Sequence, residues 1–206
     1  MKYPRNVFFK GFVFSVDEQV YEPAEDTFLL AENLKVEEND VVLDMGTGCG
    51  ILAVLAAEKA KKIVAVDINP HAIRCAEKNA GINGVEGKIE FRLGNLFQPI
   101  TPDENFSLIV FNAPYLPSKP REEEGWIEKA WAGGTNARKT IDLFLINAPK
   151  FLAPKGRILI VQSSLSDIKQ TLNMFGDMNL KAEVNAWVKV PFEKIVLIEA
   201  RRSSFV

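Results

Sequence analysis

A chain of 206 residues with 47% hydrophobic content can bury one well-packed core, and no stretch of it has the composition of an interdomain linker. A formal net charge of -2 argues against binding nucleic acid mainly by neutralising phosphates, so a protein or small-molecule substrate is expected. The two cysteines, Cys49 and Cys75, form no Cys-x-x-Cys or Cys/His spacing, which points to no metal site and fits a reducing, cytoplasmic setting.

In chain order, residues 1–36 read as an N-terminal extension ahead of a catalytic core over 37–206, the two making one domain. Val7-Phe8-Phe9 and Phe12-Val13-Phe14 pattern as a small β-ribbon whose phenylalanines serve a lid or satellite core. Glu25 to Leu34 is helical, with Phe28, Leu29 and Leu34 available for packing. From residue 41, apolar runs alternate with segments of helical period, the pattern of a parallel sheet covered on both faces. Val41 to Leu43 is the first core strand, a helix runs from Gly50 to about Lys59, and Ile63 to Val66 is the second strand, ending on Asp67. Asn69 caps the next helix with Pro70 at its first position, so the single histidine, His71, reads as a capping-region residue without chemistry. Gly81 and Gly84 close that helix before a third strand at Lys88 to Leu93, and Phe106 to Phe111 is the fourth.

A long irregular segment is expected from Ala113 to about Gly134, carrying an acidic Glu122-Glu123-Glu124 cluster; loops of this length usually serve function. Thr135 or Asn136 caps a helix through Lys150, on which Arg138 reads as a surface residue. Arg157 to Gln162 is the fifth strand, and Leu165, Ile168, Leu172 and Phe175 trace one face of a last helix. Two β-patterned runs, Ala182 to Val190 and Glu193 to Glu199, meet at Pro191 without a helix between them and read as a hairpin. No apolar run is long enough for a membrane span, and the N-terminus lacks a secretory signal pattern.

A strand ending on Asp44 and turning through Gly46, Gly48 and Gly50 into a helix brings bare backbone to a ligand at the carboxyl edge of the sheet. The Gly-x-Gly-x-x-Gly spacing of dinucleotide binding fails, because position 51 is Ile51. A sulfonium cofactor with an amino acid moiety, a ribose and an adenine fits better: Asp44 near the loop, Asp67 with Ile68 after the second strand for the ribose, and Asn95 with Leu96 after the third for the adenine. Thr27 is a further candidate, as a donor to the cofactor's carboxylate.

Asn112-Ala113-Pro114-Tyr115 leaves the fourth strand and resembles the Asn-Pro-Pro-Tyr motif of methyltransferases that modify a planar amide or amino nitrogen, with alanine at the first proline. Tyr21-Glu22-Pro23-Ala24-Glu25-Asp26-Thr27 and Trp131-Ala132-Gly133-Gly134-Thr135-Asn136-Ala137-Arg138 extend the likeness. Together they resemble the archaeal and eukaryotic branch of the HemK glutamine methyltransferases. The resemblance implies an α/β class I (Rossmann-like) methyltransferase fold, a mainly parallel seven-stranded sheet closed by a C-terminal antiparallel hairpin. It also implies S-adenosyl-L-methionine as cofactor, the Gly-Gly-Gln glutamine of a class-one peptide-chain release factor as substrate, and a small zinc-binding activator subunit as heterodimer partner. The eukaryotic form is also tied to lysine.

In such a site the Asn112 side-chain oxygen and the carbonyl of Ala113 accept the two hydrogens of the acceptor nitrogen, Asn112 also borders the cofactor, and Tyr115 packs on the planar group. Ala113 offers the carbonyl that proline would but leaves Asn112 less restricted, while Pro114 still restricts residue 113. Trp131 with Gly133-Gly134 is expected to shape the substrate entrance. Two other readings compete: an adenine-N6 methyltransferase of DNA or RNA, since both substrate classes share the strand-four motif, and a cofactor-binding protein whose motif is weakened at Ala113 and Asn95.

Overall fold

The computed structural model of the protein describes residues 4–116, 125–131, 133–134 and 137–202. The first elements follow from local chemistry. β1 (Arg5–Phe9) pairs antiparallel with β2 (Phe12–Val16) through Lys10 and Gly11, both at positive φ. Strand pleat then sorts the phenylalanines: Phe14 is buried, Phe8 faces solvent, and Phe9 stacks on Phe28 of α1 (Glu25–Asn33). The ribbon is therefore not a satellite: Phe14 and Val16 join the main core beside Val42, Ile63 and Leu108, with Val7, Phe9 and Phe12 packed against it.

Five parallel strands follow: β3 (Val41–Met45), β4 (Lys62–Asp67), β5 (Ile89–Leu93), β6 (Phe106–Asn112) and β7 (Leu152–Ser163). A hairpin of β8 (Leu180–Val190) and β9 (Glu193–Arg202) adds to β7 antiparallel, giving the order β5-β4-β3-β6-β7-β9-β8. This is the class I methyltransferase fold. α2 (Ile51–Ala57) and α3 (Pro70–Ile82) join α1 and the ribbon on one face of the sheet. After α4 (Trp126–Trp131), α5 (Lys139–Asn147) and α6 (Ile168–Asp177) cover the other. The chain steps outward from β3 to β5 and returns to the far side of β3 as β6, so a crevice opens at the carboxyl ends of β3 and β6. Both the glycine loop and Asn112 lie at that crevice.

The structure corrects several sequence expectations. The stretch after Ala113 contains helix α4 and is not wholly irregular. α5 starts at Lys139 and stops at Asn147, where Pro149 tightens the last turn into a 3-10 helix over Ala148–Phe151; Thr135, Asn136 and the Glu122 to Glu124 cluster lie outside the described residues. β7 begins at Leu152, and Leu165 sits in a separate 3-10 turn (Ser164–Ser166) and not on α6. Arg138 is not a surface residue. It is 3% exposed, and its guanidinium bonds Asp142, the carbonyls of Ser166 and Asp167, and Thr171 Oγ1. The N-terminus of α6, packed over it, is what buries it. Among the described residues no helix is long and apolar enough to cross a membrane.

Candidate active site

The loop between β3 and α2 is built from three glycines in the left-handed region, at φ +68° (Gly46), +57° (Gly48) and +84° (Gly50). They do different work. A Cβ on Gly48 would meet nothing within 4 Å, so conformation alone demands glycine there. A Cβ on Gly50 would stand 2.9 Å from Ala76 Cβ, so this glycine lets α2 start against α3, and it does not face the crevice. Val66 carbonyl accepts from Gly46 and Thr47 N–H (2.8 and 3.0 Å), and Asp67 Oδ2 accepts from Gly48 N–H at 2.9 Å. Buried Asn79 donates to the Cys49 carbonyl at 2.8 Å and to the Ser15 carbonyl at 3.1 Å, tying the loop to the N-terminal ribbon. Sequence reading missed Asn79, since a mid-helix asparagine carries no local signal.

The loop borders a cavity of about 740 Å³, whose walls also hold Asp67, Ile68, Asn95, Leu96 and, across from them, Thr27 and Asn112. Asp67 keeps its carboxylate aimed by two backbone donors, Gly48 and Asn69, both at 2.9 Å. Burial nevertheless pushes its pKa up, against those bonds. Asp44 sits behind the loop, not on the cavity wall. Its Oδ2 accepts from Thr47 Oγ1 at 2.6 Å, its Oδ1 is buried without a partner among the described residues, and burial pushes its pKa up to about 7.

Asn112 ends β6 with its side chain at the cavity. Its Nδ2 donates to Asp26 Oδ2 and Thr27 Oγ1, each at 3.1 Å, while its Oδ1 is buried with no partner among the described residues. A carboxylate only accepts, so Asp26 fixes which end of the amide turns away from it. Asp26 is the hub. It also accepts from Tyr115 hydroxyl (3.0 Å), Tyr21 hydroxyl (3.1 Å) and Thr27 N–H (2.6 Å). Burial, helped by the Asp26 charge, raises the pKa of both tyrosines and holds them as donors. Thr27 reaches the cavity, but its hydroxyl is engaged by Asp26 and Asn112. Ala113 is buried and Pro114 and Tyr115 line the same cavity. The described part of the loop adds Trp126 and Gly134 to its wall; the side chain of Trp131 lies outside the described residues.

Residues 12–129 match the model of the methyltransferase small domain family, more than half of the chain. A Methanocaldococcus jannaschii protein with the provisional name protein N5-glutamine methyltransferase is 40% identical over 94% of this chain and 97% of its own. Human methyltransferase HEMK2 is 32% identical over 79% of this chain and 80% of its own. The chain belongs to the HemK family of protein N5-glutamine methyltransferases, in its archaeal and eukaryotic branch. Two solved structures share the fold. The E. cuniculi Mtq2-Trm112 complex that methylates the eRF1 translation termination factor has a TM-score of 0.69 at 22% identity, covering 90% of this chain and 99% of that one. The M. jannaschii tRNA m1G37 methyltransferase has a TM-score of 0.71 at 26% identity, covering 97% of this chain but 57% of that one.

A HemK-family enzyme uses S-adenosyl-L-methionine, and the residues here fit it. Gly48 leaves open space where a side chain would stand, Asp67 presents an oriented carboxylate, and Ile68 and Leu96 offer apolar faces for an adenine. Asn95 is exposed beside them and can accept from an exocyclic amine. Asp26 and Tyr21 were missed as site residues by local reading. Their only signal was membership in the Tyr21 to Thr27 stretch.

Proposed function

We propose that the protein methylates the side-chain amide nitrogen of the glutamine in the Gly-Gly-Gln motif of a class-one peptide-chain release factor. The observation that carries this is Asn112 Oδ1, a buried acceptor left unpaired at the cavity while the other end of its amide is held by Asp26 and Thr27. A buried acceptor without a partner costs about 1–3 kcal/mol, a cost relieved by an N–H donor on the substrate. The names and the eRF1 activity of the relatives support the same acceptor.

S-adenosyl-L-methionine, when bound, supplies an electrophilic methyl group on a sulfonium. The chain's own task is to make an amide nitrogen nucleophilic in one direction. Asn112 Oδ1 and the Ala113 carbonyl accept its two hydrogens, which turns the remaining lobe toward the cofactor side and stabilises the positive charge that grows on nitrogen. Tyr115, anchored through its hydroxyl to Asp26, presents its ring to the planar amide.

We further propose that a small zinc-binding activator docks on β5, one of the two edge strands of the sheet among the described residues, by adding a strand of its own. Unchanged complex formation after Glu90→Pro would refute that mode. The function itself is tested by supplying labelled S-adenosyl-L-methionine with a recombinant release factor, with its Gly-Gly-Asn variant, and with nucleic acid. Label in the release factor that vanishes in the variant is expected; label in nucleic acid alone defeats the reading in favour of an adenine enzyme.

A further inference from the structure

The hairpin that closes the sheet ends in a two-residue turn, Pro191-Phe192, between the paired Val190 and Glu193. Phe192 is fully exposed (101%) and holds φ at +73°. Proline followed by a residue of positive φ is the pattern of a type II turn, in which glycine or asparagine is the ordinary occupant. A phenylalanine here costs the fold twice, in backbone strain and in exposed apolar surface, and gains no packing in return.

Its surroundings extend the patch. Trp187 is 58% exposed and Leu165 54%. Lys194 connects them: its ammonium lies 4.7 Å from the Trp187 ring centroid, and its backbone N–H donates to Ser164 Oγ at 3.0 Å. Lys189, paired with Lys194 in the hairpin, is also exposed, so lysines rim the apolar surface.

This surface stands beside the catalytic crevice. β6 and β7 are parallel with Asn112 opposite Val161, and β9 starts opposite the carboxyl end of β7, so the turn projects from the edge that bears Asn112. Glu193 hydrogen-bonds Ser163 at the end of β7, and its charge is close enough to raise the Tyr115 pKa. Two strand spacings, about 10 Å, separate β6 from β9. A folded protein that delivers a side chain to Asn112 must cover ground of that width.

We propose that Phe192, Trp187 and Leu165 form a docking surface for the folded protein substrate, which meets them with an apolar patch flanked by acidic residues. This rests on the protein-glutamine reading above. It assigns the C-terminal hairpin a share in substrate selection, apart from chemistry at the crevice.

The test compares the wild type with Phe192→Gly and Trp187→Ser on a whole release factor and on a short Gly-Gly-Gln peptide, with a Trm112-type subunit co-expressed. Glycine suits the turn, so Phe192→Gly should melt no lower than the wild type. Expected is a loss of about tenfold or more in kcat/KM on the whole protein, carried by KM, with peptide turnover and cofactor affinity unchanged. Equal losses on both substrates, or no loss on either, overturn the docking surface. So does loss of the co-expressed subunit, or a wild-type dimer that Phe192→Gly makes monomeric, since the surface then serves another partner. If the wild type methylates neither release factor nor peptide, the function reading fails first and takes the surface with it; an active wild type with unaffected variants refutes the surface alone.

Discussion

Asp26→Asn keeps the size of the side chain and exchanges one carboxylate oxygen for an NH2 group. Thr27 N–H, fixed in the backbone 2.6 Å from Oδ1, requires an oxygen there, so the new NH2 falls where Oδ2 was, facing Asn112 Nδ2 at 3.1 Å. Two donors cannot share that contact. Rotation of the Asn112 amide relieves it and turns NH2 toward the cavity, where the proposed reaction requires an acceptor for the substrate nitrogen. One lost polar contact to the transition state costs roughly 100- to 1000-fold in kcat. The tyrosine hydroxyls at 3.0 and 3.1 Å lose a charged acceptor as well, so stability should fall by about 1–3 kcal/mol. Asp67, Gly48 and Leu96 are untouched, so cofactor affinity should hold within about threefold. Single-turnover methyl transfer and calorimetry with S-adenosyl-L-methionine, run side by side, check both halves. A kcat within threefold of wild type would refute the orienting role of Asp26, and so would a defect confined to cofactor binding.

Ala113→Pro restores the motif of the wider family but should raise kcat by less than about threefold, because Asp26 and Thr27 already aim Asn112. A gain above tenfold in steady-state kinetics would mean that they do not. Asp44 gives a pH prediction. Its carboxyl is pushed up to about 7, so the folded protein holds that proton more tightly than the unfolded chain, and stability present near pH 4 is lost as pH rises through 7. Thermal melts should show Asp44→Asn matching wild type at pH 4 and exceeding it by ~2–4 kcal/mol at pH 8; parallel profiles would contradict the shift. Gly48→Ala and Gly50→Ala should separate two jobs. Alanine at 50 meets Ala76 and should cost about 2 kcal/mol or more of stability in denaturant melts, whereas alanine at 48 should cost about 1 kcal/mol but weaken cofactor binding about tenfold by calorimetry. The same defect from both would show that the loop acts as a single unit.

The sequence by itself determined the alternation of strands and helices, the final hairpin and the cofactor class. Period, turn residues and glycine spacing are local properties of the chain, and Ile51 in place of a third dinucleotide glycine is legible without coordinates. It also marked Asn112 to Tyr115, because that motif is contiguous. Only the tertiary structure decided how Asn112 is aimed: its amide is set by Asp26, 86 residues away in sequence, across the crevice between α1 and β6. The same is true of Asn79 pinning the glycine loop and of Arg138 lying under α6. Such bonds have no periodicity to reveal them. A polar residue looks the same in sequence whether water or a distant carbonyl satisfies it, and only packing removes the water.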